Sequence, residues 1–142
     1  MATFTKVNDF VEALAEKAHN LGADTLTVAL SNTAPASETS DPTADGNGVL
    51  ANVTQIAYTN LSARAVTTTS SVQASGTYKL TLTDLILTAS GGAVADFRYV
   101  YIYNDTATND ELIGVYDYGS TVSLADGDTF TIDFDGTNGV LT

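Results

Sequence analysis

Histidine occurs once in this chain, at His19, and cysteine does not occur at all. Metal binding and acid–base catalysis draw on partners for a histidine: a second His, a Cys or clustered carboxylates. His19 falls in the last turn of a predicted helix, where its partial charge suits the helix dipole, so it reads as structural. Asp126, Asp128, Asp133 and Asp135 crowd into "LADGDTFTIDFDG". Close aspartates can supply the oxygen ligands that calcium takes, but this spacing does not match an EF-hand loop. Asp126-Gly127-Asp128 reads more simply as a hairpin turn, and Asp133 as the wet face of a strand. Nothing among the 17 acids singles out a catalytic pair. No serine stands in a G-x-S-x-G setting. "SGGAVAD" (90–96) lacks the Lys-Ser/Thr that completes a phosphate loop. The expectation is a protein with no catalytic residues, no bound metal and no cofactor.

The strongest remaining signal is aromatic. In "FRYVYIYNDTATND" (97–110), strict alternation would put Phe97, Tyr99, Tyr101 and Tyr103 on one face and Arg98, Val100 and Ile102 on the other. Both faces then need cover, unlike a strand with one wet side. Tyr116 and Tyr118 follow in the next strand, across a hairpin at "NDTATND". Tyrosine suits interfaces because it combines contact area with a hydroxyl. Tyr99, Tyr101, Tyr103, Tyr116 and Tyr118 are therefore the candidate interface, against an ordinary aromatic core as the rival reading. Arg98, one of only two arginines, is expected in a structural ion pair.

These residues must be carried by a mainly β scaffold. Val7, Phe10, Val11, Leu14, Ala15, Ala18 and Leu21 form one apolar stripe at helical spacing, which predicts a helix over 6–21 capped by Thr5 or Asn8 and closed at Gly22. "DTLTVALS" (24–31) alternates as a half-buried strand. Residues 32–48 hold both prolines and many small polar residues, which predicts a long loop without a core of its own, either functional or mobile. "VLANVTQIA" (49–57) fits a short helix or a strand. Strands are predicted at 63–73, 77–89, 97–105, 111–119, 121–124 and 129–135, with short turn-forming separators that imply antiparallel hairpins. The fold class is α+β: mainly an antiparallel β-sandwich or barrel-like sheet, with one N-terminal amphipathic helix packed on it. One domain is expected over 1–142, β-rich across 63–135.

A net charge of −12 disfavours nucleic acid and anionic membranes as partners, and suits a protein soluble at high concentration. No stretch approaches a bilayer-spanning apolar run, and "MATFTKVNDF" lacks an apolar signal-peptide core, so no export by that route is expected.

"FVEALAEKAHNLGADTLTVALSNTAP", "SSVQASGTYKLTLTD" and "FRYVYIYNDTATNDELIGVYDYGSTVSLADGDTFTIDFDGTNGVL" resemble a family of short structural proteins of tailed bacteriophages. The likeness spans nearly the whole chain apart from the 35–50 loop, and it brings no active-site residues with it. It implies a virion protein made in the host cytoplasm, most simply a capsid decoration or cement protein. Its partners would be the major capsid protein, or its own copies as a dimer or trimer. A small tail component, or a carbohydrate- or receptor-binding module, is the alternative.

Overall fold

The computed structural model describes residues 2–141. Alternating, β-branched segments form its strands. Nine strands run in the order β1 (Thr3–Lys6), β2 (Leu26–Ser31), β3 (Ala65–Val66), β4 (Thr68–Ala74), β5 (Thr77–Leu82), β6 (Leu85–Thr88), β7 (Val94–Asn104), β8 (Leu112–Leu124) and β9 (Thr129–Ile132), with one short α-helix, α1 (Phe10–Ala15), after β1. The largest sheet has the order β1-β8-β7-β2-β3, and its pairings are antiparallel. β4–β5 and β6–β9 form two further antiparallel pairs.

One face of the large sheet meets these two pairs. Val28, Leu30, Val100, Ile102 and Ile113 join Leu80, Leu82, Leu87, Ile132 and Phe134 in one core. That is a β-sandwich, in which sheets hide their apolar faces against each other. The other face carries a second, smaller core of Val7, Ala29, Tyr99, Tyr101, Tyr103, Leu112 and Val115. Its cover is the predicted loop 32–48 together with the start of 49–57, the stretch read as a short helix or a strand. Ala34, Leu50 and Val53 pack into this cluster, and Pro42 in the same segment is buried. This segment includes two single-turn 3₁₀ helices, Pro35–Ser37 and Leu50–Asn52. Residues 32–53 are therefore a lid belonging to the fold.

The predicted helix over 6–21 is corrected to six residues. It ends because Lys17 adopts a left-handed conformation with φ of 66°. The Ala18 N–H bonds the Ala13 carbonyl and the Lys17 N–H bonds the Leu14 carbonyl. This is the Schellman closure, which satisfies the last carbonyls and turns the chain away. Asp9 is the N-terminal boundary residue, not Thr5 or Asn8, and its side chain makes no cap bond. Val11 and Leu14 are exposed, whereas Val7, Phe10 and Leu21 are buried. Ala18 and Leu21 fall at helical spacing but are held by a different backbone.

Several strands shift as well. β1 is an addition, pairing Phe4 with Tyr116 at the sheet edge. The 77–89 strand breaks into β5 and β6, while 111–119 and 121–124 merge into the 13-residue β8. The 63–73 strand is likewise split, into β3 and β4.

Candidate binding groove

β7 and β8 do bring the five tyrosines into one hairpin, but not onto one face. Tyr99 pairs with Asp117, Tyr101 with Val115, and Val100 with Tyr116. Directly paired residues share a face. Tyr99, Tyr101 and Tyr103 therefore point to the lid, and Tyr116 and Tyr118 to the sandwich side. Phe97 also leaves the expected set and packs in the main core. Between the pairs Phe97↔Val122 and Tyr99↔Asp117, β8 takes five steps where β7 takes two, and its Gly119 has a φ of 91°, so the ladder is broken where Phe97 and Tyr99 part company.

The three lid-side tyrosines are closed off by their own chain. Tyr101 is fully buried, and Tyr99 and Tyr103 nearly so. Burial pushes the Tyr101 hydroxyl far above its usual range, helped by the nearby Glu38 and Asp41 charges. That hydroxyl makes no hydrogen bond. Beside them, Arg98 and Asp117 form the expected ion pair, with Nε to Oδ1 at 2.7 Å. The Arg98 hydrogen bonds lower the Asp117 carboxyl, and Asp117 in turn raises Arg98.

The sandwich side is different. Phe4, Tyr116, Tyr118 and Phe130 line an apolar groove of about 400 Å³, together with Ile132 and Val140. Its aromatic wall is made of two ring pairs. Phe4 lies 4.8 Å from Tyr116 between ring centres, and Phe130 lies 5.3 Å edge-to-face from Tyr118. The Phe4 ring occupies the space that a Cβ at Gly114 would take, so the absence of a side chain at Gly114 lets β1 lay this ring on the sheet. Burial pushes the Tyr116 hydroxyl up to about 12, with Asp135 adding to the effect. Tyr118 stays about half exposed.

Asp133 and Asp135 stand in the same lining. Asp135 is engaged by the Asn138 backbone, the Asn138 side chain and the Thr137 backbone, and these hydrogen bonds lower its carboxyl. The Asp133 carboxylate accepts no hydrogen bond among the described residues. Asp126 receives the Gly91 N–H and Asp128 the Ala125 N–H, each serving a turn. Among the described residues no three His, Asp or Glu side chains gather as metal ligands.

Phe4, Phe130, Ile132 and Val140 were missed as site residues. Phe130 and Ile132 lie on the apolar face of the predicted 129–135 strand, opposite Asp133, a pattern that marks a strand and not a site. The groove draws on β1, β7, β8, β9 and the C-terminal segment, and no single stretch carries its signature.

Comparison with protein-family models, with curated proteins and with solved structures gives no match. No helix among the described residues is long and apolar enough to cross a membrane.

Proposed function

We propose that this protein is a non-enzymatic structural component of a tailed-bacteriophage virion, a decoration or cement protein that docks on the head shell. The virion class rests on the resemblance of the three quoted segments. The observation that carries a docking role is the groove. Phe4, Tyr116, Tyr118 and Phe130 leave apolar area uncovered, while the other aromatic face of the same sheet is shut by the chain's own lid. Aromatic side chains left accessible in a concave surface are the residue types that anchor protein contacts. The net charge of −12 supports high solubility before assembly and a partner that is basic where the two meet.

Of the candidate interface residues, Tyr118 remains exposed enough to touch a partner and Tyr116 lies behind it. The partner is the major capsid protein or a further copy of this chain. The test is to mix purified protein with expanded shells of the parent phage that lack it. Binding at fixed stoichiometry, with greater resistance of the shells to disruption, is the expected result. Binding to tails, or to glycans alone, would overturn the head-shell assignment.

A further inference from the structure

β9 has an unusual edge. One side pairs with β6, in the register Leu85↔Ile132 through Thr88↔Thr129. The Ala89 N–H bonds the Asp128 carbonyl, which continues this register. Hydrogen-bonded pairs alternate in an antiparallel ladder, so Leu87–Phe130 and Leu85–Ile132 are the bonded pairs. The N–H and C=O groups of Thr129 and Thr131 then point off the opposite edge. They make no backbone hydrogen bond there among the described residues.

That edge opens on the groove. Phe130, Thr131, Ile132 and Asp133 all line it. Side chains alternate across a strand, so four consecutive residues share one groove only where the strand presents its edge. Edges are blunted by short length, by Lys or Pro, or by a bulge, and β9 at four residues has only the first of these. "TFTI" contains neither residue, and the β6–β9 register is unbroken.

We infer that β9 accepts an extended segment of a partner protein as an added strand, with apolar side chains entering the Phe4/Tyr118/Phe130 groove and a Lys or Arg passing Asp133. Backbone groups of the segment would bond Thr129 and Thr131, and pockets for alternate side chains would select its sequence, as in other strand additions. Charge decides the occupant. Asp133 has an unengaged carboxylate, and the chain carries −12 overall. A second copy would bring another β9 edge with its own Asp133 and the same net charge. A basic segment gains what a like-charged copy loses. The inference deepens the docking role and rests on it only in requiring a protein partner.

The probe is the blocked peptide acetyl-Lys-Val-Thr-Val-Lys-Val-amide, with its Glu-for-Lys counterpart as control, titrated into isotope-labelled protein and followed by NMR. No virion is needed, so this result and the shell-binding result are read separately. The Lys peptide is expected to shift the Thr129 and Thr131 amides and slow their exchange, with the Glu peptide much weaker. Asp133→Asn should weaken the Lys peptide about threefold, the scale of one exposed ion pair. Thr131→Pro should weaken it about fivefold or more through the lost donor. Should that variant unfold, Tyr118→Ser, at an exposed position, reads the same groove. Equal response to both peptides, shifts confined to other sites, or no shift at millimolar peptide would overturn the inference. So would self-association through β9 that the peptide fails to compete.

Discussion

Asp9 holds Gly48 across 39 residues of chain: the Gly48 N–H donates to Asp9 Oδ2 at 2.8 Å, while Oδ1 takes the Gly46 N–H at the same distance. A Cβ on Gly48 would lie 2.7 Å from the Asp9 Cβ, so only glycine lets the lid come this close. The residue that begins α1 therefore spends its carboxylate on the lid and not on its own helix. Asp9→Ala should lower stability by about 1–2 kcal/mol, the scale of two partly exposed bonds to a carboxylate. Hydrogen exchange checks it: amides around 44–49 should speed up more than those of β7. Unchanged exchange there would mean that the lid is held by its apolar contacts alone.

Tyr101 separates a core role from a contact role. Its ring is fully buried beneath the lid and its hydroxyl has no partner. Tyr101→Phe removes an unsatisfied polar atom and should be neutral or slightly stabilising. Tyr101→Ser should cost about 3–5 kcal/mol, as large-to-small changes at buried aromatics do. Thermal melts of the two variants check this. A destabilised Phe variant would show that the hydroxyl is hydrogen-bonded in solution.

Strand periodicity made most of this architecture legible. It located β2, β5, β7 and β9, but β2, read as half-buried, is buried on both faces because the lid covers the side away from the main core. Of the separators read as hairpins, those between β4 and β5 and between β7 and β8 are hairpins, whereas β6 pairs with β9, so the β6–β7 and β8–β9 connections cross between sheets. What stayed hidden was non-local. The irregularity between Phe97 and Tyr99 lies in the partner strand, where β8 takes five steps from Asp117 to Val122 against two in β7, so nothing in "ADFRYV" announces it. The lid resembles a free loop because its apolar contacts, Ala34, Leu50 and Val53, are sparse and far apart in sequence. The helix was overextended for the opposite reason. Ala18 and Leu21 happen to continue the helical spacing, while Lys17, an unremarkable helix former, takes the left-handed turn. Four edge residues in β1 were too few to register as a strand.

The short helix makes its own prediction. Phe10 is buried in the main core and its ring lies 5.2 Å from that of His19. Phe10→Ala should cost about 3–4 kcal/mol. Val11 and Leu14 sit on the solvent side, so Val11→Ala and Leu14→Ala should each stay within about 0.5 kcal/mol of the parent. Denaturant melts check the contrast. Equal costs at Phe10 and Val11 would restore the full-length amphipathic helix.

His19 sets the last expectation, through pH. It is nearly fully buried, and its Nδ1 lies 3.1 Å from the Asn104 side-chain nitrogen. Asn104 Oδ1 accepts the Thr106 and Ala107 N–H groups, which fixes the amide so that its NH₂ faces the imidazole. Nδ1 must then be an acceptor, and the proton of neutral His19 sits on Nε2, which has no partner. Charging the ring would set an Nδ1–H against that NH₂. Burial lowers the His19 pKa below 6.5, and the Glu111 and Asp24 carboxylates only partly oppose it. A base with a lowered folded pKa binds its proton later than the unfolded chain does. Stability is therefore full above about 6.5 and falls as pH drops from there toward the folded value. His19→Gln should flatten this slope below about pH 6.5, whatever it does to stability at neutral pH. The measurement is a series of denaturant melts over that range, with NMR titration of the ring alongside. A variant with the parent's slope would place the proton uptake elsewhere, among the carboxylates.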